Sequence, residues 1–109
     1  MKMIIAFVKP NMLDAVMLAL HKIEGLTGAS SSEVQGFGQD RSVNDREISF
    51  KTSPHIKLEL SCHNDLVDQV LSAIAQAAHT GLRGDGKIYV LPLNDAVRIS
   101  SKERGEKAV

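Results

Sequence analysis

The chain has 109 residues, 43% hydrophobic and 24% charged, a balance that suits one soluble domain with a modest core. Thirteen basic side chains against thirteen acidic ones give a formal net charge of zero, without the positive excess that a nonspecific nucleic-acid binder uses to neutralise phosphates. The lone Cys62 excludes an intrachain disulfide and any multi-cysteine zinc site, and no apolar run approaches the roughly 20 residues that cross a bilayer.

Residues 3–8, MIIAFV, are short, rich in β-formers and closed by Pro10, which predicts a strand. With Lys2 in front, this run ends too soon for a signal peptide, so a reducing cytoplasm is the expected setting. In NMLDAVMLALHKI (11–23), Leu13, Val16, Met17 and Leu20 recur at i, i+3, i+4 and i+7, the stripe of an amphipathic helix. Asn11 with Asp14 three positions later has the spacing of a capping box. EGLTGASSS breaks that helix, and SEVQGFG (32–38) reads as a second strand weakened by Gly36 and Gly38. Residues 39–55 are polar, charged and closed by Pro54, a loop in which Ile48 and Phe50 stand out as apolar anchors for a partner or for docking the loop itself. A strand resumes at 56–62, where Ile56, Leu58 and Leu60 alternate with Lys57, Glu59 and Ser61. HNDLVDQVLSAIAQAAHTG (63–81) is the clearest helix: Asn64 or Asp65 caps it, Val67, Val70, Leu71, Ile74 and Ala78 form its apolar face, and Gly81 stops it. KIYVLPL (87–93) predicts a fourth strand interrupted near its end by Pro92, followed by an extended stretch and a charged tail.

The order β-α-β, loop, β-α-β predicts an α+β, ferredoxin-like sandwich, with a four-stranded antiparallel sheet and both helices on one face. The sheet has more apolar residues than that arrangement can bury. Ile4, Ala6 and Val8 face one way and Ile5 and Phe7 the other, while Ile88 and Val90 oppose Tyr89, Leu91 and Leu93. Two helices cover one face only, so burial of the second against other copies of the chain is expected.

The run TGLRGDGKIYV (80–90) contains more glycine than a helix stop requires. Gly81 alone satisfies the helix; Gly84 and Gly86 let backbone amides ring an anion, beside the point charge of Lys87. The run follows a helix and enters a strand, the reverse of a Walker loop or a dinucleotide fingerprint. The four histidines, at 21, 55, 63 and 79, have no helical metal-site spacing, although Asp40 with His55 offers carboxylate and imidazole to a transition metal. Cys62 reads as a small buried hydrophobe and Ser49 as an ordinary loop serine. No nucleophile–histidine motif or carboxylate pair points to an enzyme.

These residues resemble a known family, the PII signal-transduction proteins. TGLRGDGKIYV is similar to its C-terminal signature, TGASSSEVQGFG to its passage from first helix to second strand, MIIAFVKPNMLDAVMLAL to its first strand and helix, and AVRISSKERGEKAV to its tail. The likeness covers nearly the whole chain, one domain over residues 1–109 with loop 39–55 and a C-terminal extension, 98–109. The resemblance implies a homotrimer binding an adenine nucleotide (ATP or ADP, with Mg2+ as companion ion) between subunits. It also implies a loop that acts on a target protein, here a membrane transporter, with no nucleic acid as partner. On the same resemblance, Gly84, Asp85, Gly86 and Lys87 form the turn that holds the phosphates and Arg98 meets them. Gly36, Phe37 and Gly38 close over the nucleotide, and Ser30, Glu59 and Ser61 meet the adenine.

Several positions depart from the family pattern. Ser100 replaces a second phosphate arginine, and the loop is about four residues short. The loop lacks tyrosine, since Tyr89 is the only one, which excludes tyrosine nucleotidylylation there. Asp40 and His55 stand where the family has a glutamine and a lysine for magnesium and 2-oxoglutarate; a largely neutral imidazole is a weaker partner for a carboxylate than a fixed ammonium. These departures favour a PII-like branch. The alternatives are a nitrogen-regulatory PII protein proper, or a metal-binding trimer resembling the CutA-type cation-tolerance proteins. A ferredoxin-like RNA binder is set aside because the central strands lack an aromatic platform.

Overall fold

A computed structural model describes residues 1–37 and 52–109. Its elements are β1 (Lys2–Val8), α1 (Leu13–His21), β2 (Ser30–Gly36), β3 (Ser53–Cys62), α2 (Val67–Ala78) and β4 (Lys87–Pro92). The strands form one antiparallel sheet in the order β2-β3-β1-β4, the expected ferredoxin-like arrangement. Alternation sets the core. Ile4, Ala6 and Val8 of β1 and Ile56, Leu58, Leu60 and Cys62 of β3 point to one face, where Val16, Leu20, Val70, Ile74 and Ala78 of the helices bury them. Burying these side chains is the main source of stability.

The register places Met3, Ile5 and Phe7 opposite Ser61, Glu59 and Lys57 on one side and opposite Leu91, Tyr89 and Lys87 on the other. Residues paired in this way share a face, so the uncovered side of the sheet has an apolar centre. There the Phe7 and Tyr89 rings meet edge to face, 6.2 Å apart at 81°, with Tyr89 48% exposed.

Helix entry differs from the sequence expectation. No capping box forms at Asn11–Asp14; α1 begins through a 3-10 turn, Pro10–Met12, with no side-chain cap. Proline lacks an N–H and has φ preset for a helix start, so it leaves the Asn11 side chain no capping position to fill. Likewise Asn64–Leu66 is a 3-10 turn, and neither Asn64 nor Asp65 caps α2. β3 starts at Ser53 and includes Pro54, because at that point it extends beyond β1 and pairs with β2 alone, where a missing N–H can be tolerated.

The tail is folded. Val97 bridges Arg104, and the Arg104 guanidinium grips Asp95 at 2.6–2.7 Å. Glu106 is held between His63 (2.7 Å) and the amino terminus (3.2 Å), and Val109 is buried.

Candidate functional site

After Ala78 the backbone leaves the helix at His79, which is extended. The next turn is organised by one carboxylate. Asp85 Oδ2 accepts the amides of Thr80 (2.9 Å) and Gly81 (3.2 Å), and Oδ1 accepts the Thr80 hydroxyl. The Lys9 ammonium lies 3.2 Å from Asp85 Oδ1 and 3.2 Å from Thr80 Oγ1, and that hydroxyl also accepts the Leu82 amide. The Thr80 side-chain bond, then the Thr80 amide, hold the Asp85 carboxyl well below the usual carboxylate range, with Lys9 and Gly81 adding to them. Asp85 therefore shapes the turn from inside, and its carboxylate is already engaged by the turn. Gly86 has φ +101°, and a Cβ there would lie 1.7 Å from the Phe7 carbonyl oxygen. Only glycine lets the turn rest against β1.

His55 ties the start of β3 to the same turn. Its Nε2–H donates to the Gly84 carbonyl at 3.1 Å, and Nδ1 lies 3.4 Å from the Ser53 carbonyl. With Gly36, Phe37, Gly84–Lys87 and the Phe7 and Tyr89 rings, His55 lines a cleft of about 600 Å³. Lys87 is exposed at its edge, and among the described residues no side chain pairs with its ammonium. A polyanion entering this cleft meets a lysine and a glycine turn.

Ser30, Glu59 and Ser61 line a different cleft, of about 460 Å³, with Thr27, Gly28 and Met3. Both clefts lie on the uncovered sheet face at opposite ends of the β2–β3 ladder, since Ser30 pairs with Glu59 and Gly36 with Ser53. Six residues of strand put about 20 Å between them. Lys57, between the clefts, forms a half-exposed ion pair of 3.2 Å with Glu59 of the second one. Arg98 lines neither cleft; its amide and carbonyl close the tail hairpin onto Glu103 and Lys102. A single chain thus gathers Gly36, Phe37 and Gly84–Lys87, gathers Ser30, Glu59 and Ser61 elsewhere, and joins neither group to Arg98.

Gly38 and Asp40, with most of loop 39–55 including Ile48, Ser49 and Phe50, lie outside the described residues. Among the described residues no group of three or more His, Cys, Asp or Glu side chains converges as a metal site, and no helix is long and apolar enough to cross a membrane. Lys9 and Thr80 were not legible as site residues. Lys9 reads in sequence only as the end of a strand, and its partner carboxylate is 76 positions away.

Residues 1–103 match the family model described as nitrogen regulatory protein P-II. Curated relatives named nitrogen regulatory protein P-II include one from Azospirillum brasilense, 40% identical, and one from Rhodospirillum rubrum, 42% identical, each aligned over the whole of both chains. A P-II homolog from Arabidopsis thaliana is 39% identical over 94% of this chain and 55% of its own length. The two bacterial alignments span 113 positions, so at least four of them have no counterpart among the 109 residues of this chain.

Proposed function

From the premise that this chain belongs to the nitrogen regulatory protein P-II family, we propose that it is a signalling regulator whose uncovered sheet face binds an adenine nucleotide between subunits. The phosphates rest on the amides of the Gly84–Lys87 turn and on the Lys87 ammonium. The base lies against Ser30, Glu59 and Ser61 of a neighbouring copy, and Arg98 arrives with that neighbour's tail. One observation carries this reading: the two sets of residues line two clefts on the same face, about 20 Å apart in one subunit, and a second copy can bring them together. Gly36 and Phe37 lead from the nucleotide cleft into loop 39–55, so occupancy biases that loop and, through it, a target protein, taken here to be a membrane transporter.

His55 has a part in this coupling. Its bond to the Gly84 carbonyl joins the phosphate turn to the strand on which the loop ends. The position has imidazole and no fixed cation, so 2-oxoglutarate has a weaker carboxylate partner here.

Calorimetric titration with ATP, ADP and AMP tests the proposal. The wild type is expected to bind at one site per chain, and Lys87→Ala to weaken ATP by about tenfold or more through loss of a charged contact. No heat with any adenylate at millimolar concentration, or an unchanged affinity in Lys87→Ala, refutes it.

A further inference from the structure

Two lysines lie near the turn. Lys87 lines the cleft, whereas Lys9, 21% exposed, stands outside it and is bound at once to Asp85 and Thr80. We propose that Lys9 is the positioning residue of the anion-binding turn, fixing the backbone of residues 80–86 from β1 without meeting the ligand. This rests on the reading of the turn as a phosphate cradle.

Thr80, Gly81 and Leu82 all have their amides capped within one network, two by Asp85 and one by the Thr80 hydroxyl. That network would bring a bare carboxylate close to the site where an anion is to bind. The Lys9 ammonium balances the carboxylate locally, so Lys87 is left to the ligand. The His79 ring is the other neighbour, with Nδ1 3.6 Å from Asp85 Oδ2, but it is 73% exposed and a weaker anchor. Lys9 directly follows β1, and Gly86 rests on the Phe7 carbonyl. The clamp therefore ties the turn to a central strand of the sheet.

The test uses the full chain, by amide hydrogen exchange without ligand and by calorimetry with ATP and adenosine. In Lys9→Met, exchange at Thr80, Gly81 and Leu82 is expected to rise about tenfold or more while the β1–β3 ladder keeps its protection. ATP affinity falls by a similar factor, adenosine affinity stays within about twofold, and Lys9→Arg restores most of both. Thr80→Val, which removes the shared hydroxyl, provides a second route should Lys9→Met fold poorly, and is expected to raise exchange at Leu82. Wild-type exchange at 80–82 in Lys9→Met or Thr80→Val overturns the inference. So does a loss of ATP binding with exchange unchanged, which would make Lys9 a direct ligand. A wild type that binds no adenylate refutes the proposed function; the exchange measurement still decides the clamp.

Discussion

Gly86→Ala tests the tightest of the described glycine positions. The added Cβ would sit 1.7 Å from the Phe7 carbonyl oxygen and 2.8 Å from its carbon, where ordinary contact begins near 3.4 Å, and the partner is backbone that cannot rotate away. The turn must lift from β1, opening the β4 ladder where Phe7 pairs with Lys87. A non-glycine residue in that conformation costs about 1–3 kcal/mol, and each ladder hydrogen bond lost adds about 1 kcal/mol. Together these give about 3–5 kcal/mol, a large part of the 5–15 kcal/mol that holds a typical domain together. At roughly 4–8 °C per kcal/mol the melting temperature falls by about 12–40 °C. Two controls separate the causes. Gly105, at φ +74° with nothing within 4 Å of a built Cβ, has conformational strain alone, so Gly105→Ala costs about 1 kcal/mol. Gly28 likewise has nothing within 4 Å and no positive φ, so Gly28→Ala is expected to be within about 0.5 kcal/mol of wild type. Thermal unfolding by circular dichroism at one protein concentration gives all three values, because assembly would make the midpoint concentration-dependent. If Gly86→Ala melts with Gly28→Ala, the turn does not lie on β1 and the account of the phosphate cradle fails with it.

Tyr89→Glu places a charge at the centre of the uncovered face. Wild-type protein is expected to sediment at three times 11.8 kDa and the variant at 11.8 kDa with its circular dichroism retained; an unchanged mass would mean that copies meet elsewhere. Glu106 is held below the usual carboxylate range, first by its bond from His63 and then by the amino terminus. Its folded value lies below its unfolded value, so the docking it supplies is fully present above about pH 4.3 and is lost as pH falls through the folded value. Protection of residues 103–109, taken relative to intrinsic exchange at each pH, is expected to fall in acid in the wild type and to be lost already at pH 7 in Glu106→Gln; equal protection in the two proteins at pH 7 would remove Glu106 from tail docking.

The sequence pattern revealed elements whose formation depends on periodicity. Alternation in 3–8 and 56–62 and the helical stripe in 63–81 identify the core face, and the surplus on Ile5, Phe7, Tyr89 and Leu91 marks the uncovered one. Features set by distant partners were not legible. The serines that begin β2 have little strand propensity of their own and are held by pairing with β3. The charged tail becomes a hairpin because Asp95 meets Arg104 and Lys102 adopts φ +61°. Asp85 reads as one more polar residue in a glycine run; its role in organising the turn appears only when Lys9 is brought to it. The division of the candidate residues between two clefts is a matter of register, which spacing along the chain does not encode.

If the chain assembles and binds a nucleotide as proposed, register links the two. Met3, Ile5, Phe7, Tyr89 and Leu91 form an apolar centre, with the glycine turn and Lys87 at one end and Ser30, Glu59 and Ser61 at the other. When such centres close on one another, unlike ends of neighbouring copies are the parts that can meet, so a ligand spanning both ends stabilises the assembly and requires it. Two variants already named separate this from a site complete within one chain. Lys87→Ala removes a ligand contact from the margin and leaves the apolar centre intact, so it loses nucleotide while keeping its mass. Tyr89→Glu breaks the centre and must lose both. A monomeric Tyr89→Glu protein that still bound ATP with wild-type affinity would show that one subunit suffices, and the two clefts would then have separate occupants.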